Sequence, residues 1–235
     1  MPKKKIKTIK KVSNFERIPS GIPGLDRLME GGFLKGSSVL ISGGAGTGKT
    51  IFCLQYIWEG LERGETCMFI TLEEKTGDLI DDVARFGWDL RKYIQSKKLF
   101  LEYQDPFQLT DITAPIIEKI KEHKVSRVAV DSTGVFGMYY KDPFEVRKQL
   151  FKLISGLKES GVTSLLTTEL PEDSKTLARF GVEEFIVDGV IKLEFLGLGK
   201  SSFNLQVRKM RRTNHKKDIY PFDITKNGLI VRQIE

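Results

Sequence analysis

Two kinds of apolar pattern alternate along the chain. Short, nearly continuous apolar runs occur at Ser38–Ser42, Thr66–Leu72, Leu99–Tyr103, Arg127–Asp131 and Thr163–Thr168. Runs of this length and composition predict strands buried on both faces. Between them, apolar residues recur at helical spacing: Ile51, Leu54, Trp58 and Leu61; Leu79, Ile80, Val83 and Phe86; Ile112, Ile116, Ile117 and Ile120; Val146, Leu150, Ile154 and Leu157. Gly64 and Gly161 stand where two of these helices should stop, and Pro115 is tolerable in the first turn of a third. Strand–helix alternation of this kind predicts an α/β fold, a mostly parallel sheet with helices on both faces.

The two ends read differently. Gly21 to Leu28 and Gly31-Gly32-Phe33 suggest a short helix with glycine turns leading into the first core strand. Near the C-terminus, Gly189–Gly197, Ser201–Lys209, Ile219–Asp223 and Leu229–Arg232 read as successive strands, with Asn227-Gly228 as a hairpin signal. An antiparallel β extension should therefore follow the parallel core. The 235 residues contain no internal repeat and no long linker. We read residues 1–13 as a basic arm and 14–235 as one domain.

Net charge is +7, and six of the first eleven residues are lysines. Such a run can contact nucleic acid or an acidic protein. No aromatics interleave with the lysines, so a solvated tail is the competing reading. Cys53 and Cys67 lack metal-ligand spacing and a secreted disulfide pattern. No apolar stretch approaches the about 18 residues of a membrane span. A cytoplasmic protein with no membrane partner is the expectation.

The most specific local signal is Gly43-Gly44-Ala45-Gly46-Thr47-Gly48-Lys49-Thr50, directly after the first core strand. This is the G-x-x-x-x-G-K-[ST] phosphate loop, expected by chance roughly 0.01 times in a chain of this length. The glycines let consecutive N–H groups turn toward phosphate oxygens. Lys49 adds positive charge at the β- and γ-phosphates, the Thr50 hydroxyl is placed for Mg²⁺, and the helix beginning near Lys49 and Ile51 points its positive end at the anion. A nucleoside triphosphate with Mg²⁺ is the implied ligand. Val128-Ala129-Val130-Asp131, an apolar strand ending in aspartate, supplies a second metal-side oxygen in Asp131, with Ser132 able to hydrogen-bond nearby. Glu73 and Glu74 close another strand, where a carboxylate could take a proton from water. On position alone they could equally be an acidic pair opening the next helix.

Taken together the motifs resemble the KaiC branch of the RecA-type ATPases. The series is the loop Gly43–Thr50, Thr71-Leu72-Glu73-Glu74, Phe86-Gly87-Trp88-Asp89-Leu90 and Val130-Asp131-Ser132, then Thr167-Thr168-Glu169 and Gly181-Val182-Glu183-Glu184-Phe185. Lys209-Met210-Arg211 with His215, and Pro221-Phe222-Asp223-Ile224-Thr225, complete it. The resemblance runs from about Ile18 to Val231 and implies a RecA-like P-loop NTPase fold and ATP hydrolysis. It implies that Glu73 and Glu74 are the catalytic carboxylates and that Arg85 stands where the nucleobase is contacted. It also implies that Lys209 and Arg211, with Thr213 and His215 beside them, reach the nucleotide of a neighbouring subunit in a six-membered homo-oligomeric ring. Arg212 and Asn214 replace the smaller residues common there. The Gly181–Phe185 stretch carries no Ser-Thr pair like that autophosphorylated in the second KaiC domain, so no role in circadian timing is expected. A DNA-binding motor relative and a nucleotide-gated scaffold with little turnover are the alternative functions.

Overall fold

The order of strands in the main sheet accounts for both halves of the sequence pattern. A computed structural model describes residues 15–105, 111–171, 174, 176–196 and 203–233. The lysine-rich arm lies outside the described residues. In chain order, β1 (Arg17–Ile18) pairs antiparallel with β2 (Phe33–Leu34) across a 3-10 turn at Asp26–Met29. The core follows as β3 (Ser38–Gly43), α1 (Lys49–Glu62), β4 (Cys67–Thr71), α2 (Thr76–Ala84), α3 (Leu90–Gln95) and β5 (Leu99–Tyr103). Next come α4 (Thr113–His123), β6 (Arg127–Asp131), α5 (Phe136–Tyr139), α6 (Pro143–Glu159), β7 (Thr163–Glu169) and α7 (Glu183–Ile186). The chain closes with β8 (Gly189–Phe195), β9 (Phe203–Met210), β10 (Ile219–Thr225) and β11 (Gly228–Val231). Among the described residues, the large sheet has nine strands in the order β11-β10-β9-β8-β3-β7-β6-β4-β5.

From β8 to β5 every neighbouring pair is parallel, and β9, β10 and β11 add on antiparallel, as the sequence predicts. The period of two along each strand divides the core into two layers. Val39, Ile41, Phe69, Ala129 and Leu165 pack in one layer with α1, α2 and α3. Leu40, Met68, Ile70, Val128, Val130 and Leu166 pack in the other with α4, α5 and α6. Burial on both faces is what the unbroken apolar runs require. Cys53 and Cys67 are buried free thiols in the first layer. No described helix is long and apolar enough to cross a membrane.

Two polar groups hold the layers in register. Arg127, fully buried at the start of β6, sends Nε and Nη2 to the two Glu65 carboxylate oxygens, each at 2.8 Å, and Nη1 to the carbonyls of Pro19 at 2.8 Å and Tyr56 at 3.2 Å. Gly60 makes room for it: a Cβ there would lie 2.6 Å from Arg127 Cδ. Gln55 on α1 clasps the last strand, accepting from Leu229 N at 2.7 Å and donating to Leu229 O at 3.1 Å and Gly21 O at 2.9 Å. Val231 N donates to Pro23 O at 2.9 Å, so the outward-facing groups of β11 end on α1 and the N-terminal turn.

The structure also contains elements the periodicity does not reveal: the β1–β2 ribbon and the short helices α3, α5 and α7. Each has six residues or fewer. That is under two helical turns, too short for an apolar stripe to repeat. A local cap marks α3, where the Asp89 side chain accepts from Arg91 N at 3.1 Å.

Candidate nucleotide site

β3 delivers the chain to the C-terminal edge of the sheet, and the glycine-rich turn begins at once. Gly46 and Gly48 have φ of 71° and 87°, the left-handed conformation that suits glycine. Gly43 is crowded: a Cβ there would lie 2.4 Å from Leu193 O and 2.8 Å from Thr47 Oγ1. Thr47 Oγ1 donates to Gly44 O at 2.9 Å, and Lys49 Nζ folds back to donate to the same carbonyl at 2.7 Å. α1 starts at Lys49, so the loop, the lysine and a helix N-terminus face one point.

Parallel register brings the acidic groups to the same edge. Thr71 pairs with Asp131, and Gly43 with Glu169. A cavity of about 150 Å³ results. Ala45, Gly46, Lys49 and Thr50 line it from the loop side. Thr71, Glu73, Glu74, Asp131, Ser132 and Glu169 line it from the strand ends. Ser132 Oγ donates to Glu73 Oε1, and Thr167 Oγ1 donates to Asp131 Oδ1. Thr71 Oγ1 braces the turn below, accepting from Glu74 N at 3.0 Å and donating to Glu74 O at 2.7 Å. The peptide between Asp131 and Ser132 is cis.

The lining charges are mixed, one lysine against several carboxylates. Burial lowers the pKa of the Lys49 ammonium, against the opposing pull of Glu169, Asp131 and Glu73. Glu74 moves the other way: partial desolvation and then the charges of Asp131, Asp82, Glu73 and Asp78 raise its pKa. Four carboxylates around one lysine leave the cavity short of positive charge, a balance that a bound cation would correct. A larger cavity of about 790 Å³ lies against the other side of the loop, walled by Leu193, Phe195, Leu196 and Phe203. Among the described residues its one lining carboxylate, Glu194, is paired with Lys192 at 2.6 Å, so the acidic groups suited to a metal and to water line the smaller cavity.

The remaining candidates lie elsewhere. Ile51 packs against the first core layer. Arg85 follows α2 with its guanidinium 4.8 Å from the centre of the Phe86 ring, and it does not line the cavity. Lys209 and Arg211 sit at the opposite end of the sheet. Lys209 pairs with Val190, which pairs with Leu40, and Arg211 N donates to Asp188 O at 2.8 Å, level with Ser38. At about 3.3 Å per residue, Arg211 is roughly 16 Å along the strand direction from the start of the loop at Gly43. Thr213 Oγ1 meets the Arg17 guanidinium at 3.3 Å, and His215 Nδ1 lies 3.0 Å from Lys216 O.

Sequence reasoning gave no role to Glu169 or Thr167, yet Glu169 lines the cavity and Thr167 orients Asp131. The available signal was the end of an apolar strand, the same one that pointed to Asp131.

Comparison with known proteins agrees with this geometry. KaiC of Prochlorococcus marinus subsp. pastoris is 41% identical over 228 residues, covering 92% of this chain and 45% of that protein. KaiC3 of Synechocystis sp. is 35% identical over 229 residues, again covering 92% of this chain and 45% of that one. The chain thus spans less than half the length of these curated relatives. The crystal structure of a KaiC-like protein from the hyperthermophilic archaeon Pyrococcus horikoshii OT3 superposes with a TM-score of 0.85 at 39% identity. That match covers 93% of this chain and 100% of the other. A family model described as "ATPase: KaiC" matches residues 18–235. Because that match takes in the phosphate loop, the parallel core and the antiparallel extension together, the chain belongs to the KaiC family of ATPases.

Proposed function

We propose that this chain hydrolyses ATP to ADP with Mg²⁺, at sites shared between subunits of a homo-oligomeric ring. The observation that carries the reading is the convergence of Lys49, Thr50, Asp131 and Glu73 on one cavity beneath a phosphate loop. The loop amides and Lys49 would hold the phosphates. Thr50 and Asp131 would hold Mg²⁺. Among the described residues no three His, Cys, Asp or Glu could hold a metal by themselves. Mg²⁺ needs no such cage, because one or two protein oxygens suffice beside phosphates and water. Bound with the nucleotide, it would neutralise charge on the β- and γ-oxygens. Glu73, one oxygen fixed by Ser132, is the base for the attacking water, with Glu74 beside it.

The strand offset supports a trans role for Lys209 and Arg211. Both are roughly 10–16 Å along the sheet from their own phosphate loop, and both are turned to groups at that far end. A cation offered to a neighbour requires head-to-tail contacts, which close into a ring. Six subunits, Arg85 at the nucleobase, and Thr213 and His215 near the neighbour's nucleotide follow from the family likeness. Buried free thiols and dependence on ATP suit the cytoplasm.

Subunit mixing tests the proposal. Arg211→Ala subunits should bind ATP and hydrolyse it poorly, and Lys49→Ala subunits should bind it weakly and not turn it over. In exchanged oligomers, verified by mass, an Arg211→Ala subunit can use the arginine of a Lys49→Ala neighbour, and activity should return. Exchanged oligomers that stay inactive would overturn the trans assignment.

A further inference from the structure

We propose that Asp188 is a positioning residue for the neighbour's reaction: anchored on the start of β3, its carboxylate orders the Arg211 guanidinium for delivery to the next subunit. The proposal rests on the trans reading of Arg211 given above.

Asp188 lies between α7 and β8, and its hydrogen bonds run to three elements. Oδ2 accepts from Ser38 N at 3.1 Å, and the Asp188 N–H donates to Ser38 O at 2.8 Å. Those two contacts fix the residue to the first residue of β3. Oδ1 accepts from Arg211 Nη1 at 3.2 Å and from Lys158 Nζ on α6 at 2.9 Å. The Asp188 carbonyl accepts from Arg211 N at 2.8 Å, so one residue holds both the backbone and the side chain of Arg211. A second point of support is Phe185 O, which accepts from Arg211 Nη2 at 2.9 Å. Lys209 is held the same way, its Nζ donating to Glu184 O at 2.6 Å and Val187 O at 2.7 Å.

The physical effect is preorganisation. A free arginine samples many rotamers, and ordering it during the reaction adds to the barrier. Here the planar fork is gripped at two of its nitrogens, while the Arg211 side chain stays 46% exposed. The rest of its donors remain available to a phosphate. The competing possibility is that Asp188 only staples α6 to β3 through Lys158. That role would make Lys158 as important as Asp188.

Variants at Asp188, Lys158 and Arg211 decide. In Asp188→Asn the amide oxygen can still accept from Ser38 N, but the charge facing Arg211 is gone. The Asn amide nitrogen then faces Arg211 and Lys158 and accepts from neither. We expect a folded chain with a lowered melting temperature, parent-like ATP binding, and hydrolysis slower by about 10–100-fold, the scale of a small misplacement of a reacting group. Mixing with Lys49→Ala subunits should restore activity, because an Asp188→Asn subunit keeps a sound phosphate loop and can use its neighbour's arginine. Mixing with Arg211→Ala should restore nothing. Lys158→Met should stay within about twofold of the parent. A parent-like rate in Asp188→Asn, a loss that mixing with Lys49→Ala does not relieve, or an equal loss in Lys158→Met would each overturn the proposal. If Asp188→Asn proves too unstable, Asp188→Glu moves the carboxylate by one methylene and should show the same slowing and the same complementation; a parent-like rate there overturns the idea. Arg211→Ala, run alongside, separates the two inferences. If it hydrolyses at the parent rate, the trans reading itself is wrong. If it is slow and complemented while Asp188→Asn is normal, only the positioning role falls.

Discussion

Ser132 Oγ donates to Glu73 Oε1, joining the end of β6 to the end of the adjacent β4 along the strand-end wall of the cavity. The same oxygen accepts from Gly134 N at 3.2 Å, so the hydroxyl is itself oriented. A candidate base with one oxygen pinned presents the other to water. Ser132→Ala should therefore keep ATP binding and slow hydrolysis by about tenfold, read by steady-state turnover beside a binding titration. Unchanged turnover would remove Ser132 from the mechanism.

Glu73→Gln together with Glu74→Gln should retain ATP and lose about 10²–10⁴-fold in hydrolysis, the usual contribution of a general base. The single variants separate by pH. The Glu74 pKa is raised, so its anionic form is lost on the acid side earlier than for an ordinary carboxylate near 4.3. If that anion contributes, kcat/KM falls as pH drops through the raised pKa, and Glu74→Gln should abolish this limb while Glu73→Gln keeps it.

Lys49→Ala should weaken ATP binding by about 10–100-fold, the value of a charge-assisted hydrogen bond, without unfolding the chain. Lys49 is only partly buried, and its contact to Gly44 O is local to the loop. Isothermal titration with ATP and a melting curve make the comparison. Parent-like affinity would contradict the phosphate-loop assignment.

The Arg127–Glu65 pair predicts a stability effect remote from the site. Arg127 is fully buried and Glu65 is its only carboxylate partner among the described residues. Glu65→Ala strands the guanidinium and should cost about 3 kcal/mol, lowering Tm by about 2–4 °C for each kcal/mol in a chain of this size. Burial works against ionisation of Glu65, but hydrogen bonds and charge from Arg127 outweigh it and lower its pKa. The pair's contribution is thus present above the unfolded-state value and is lost as pH falls through the lower folded-state pKa. Glu65→Ala should flatten that acid-side loss in a series of melting curves.

The sequence made legible what is written locally. The phosphate loop is contiguous, and the apolar strand ending in Asp131 carries its own signal. Glu169 and Thr167 are different: Glu169 joins the cavity and Thr167 reaches Asp131 because β7 lies between β3 and β6, a sheet order that no local window contains. The offset of Arg211 from the loop was equally hidden. Only the pairing of β9 with β8, and of β8 with β3, fixes its height on the sheet. The short helices α3 and α7 are hidden because elements of under two turns have no period to read, and α7 matters most, since its carbonyls hold Lys209 and Arg211.

The clasp that Gln55 places on β11 bears on what kinds of assembly are open to this protein. Strand exchange and fibre growth begin when an exposed strand pairs with another chain. Here the outward N–H and C=O of Leu229 are taken by Gln55, and the N–H of Val231 by Pro23. An invading strand at this edge would first have to strip an amide from α1, the helix that begins at Lys49 in the phosphate loop. This edge is therefore closed to sheet extension, and any neighbour approaching it must bind through side-chain surfaces instead. Growth by swapped or stacked strands there would first have to break the contacts that tie β11 to the helix following the phosphate loop.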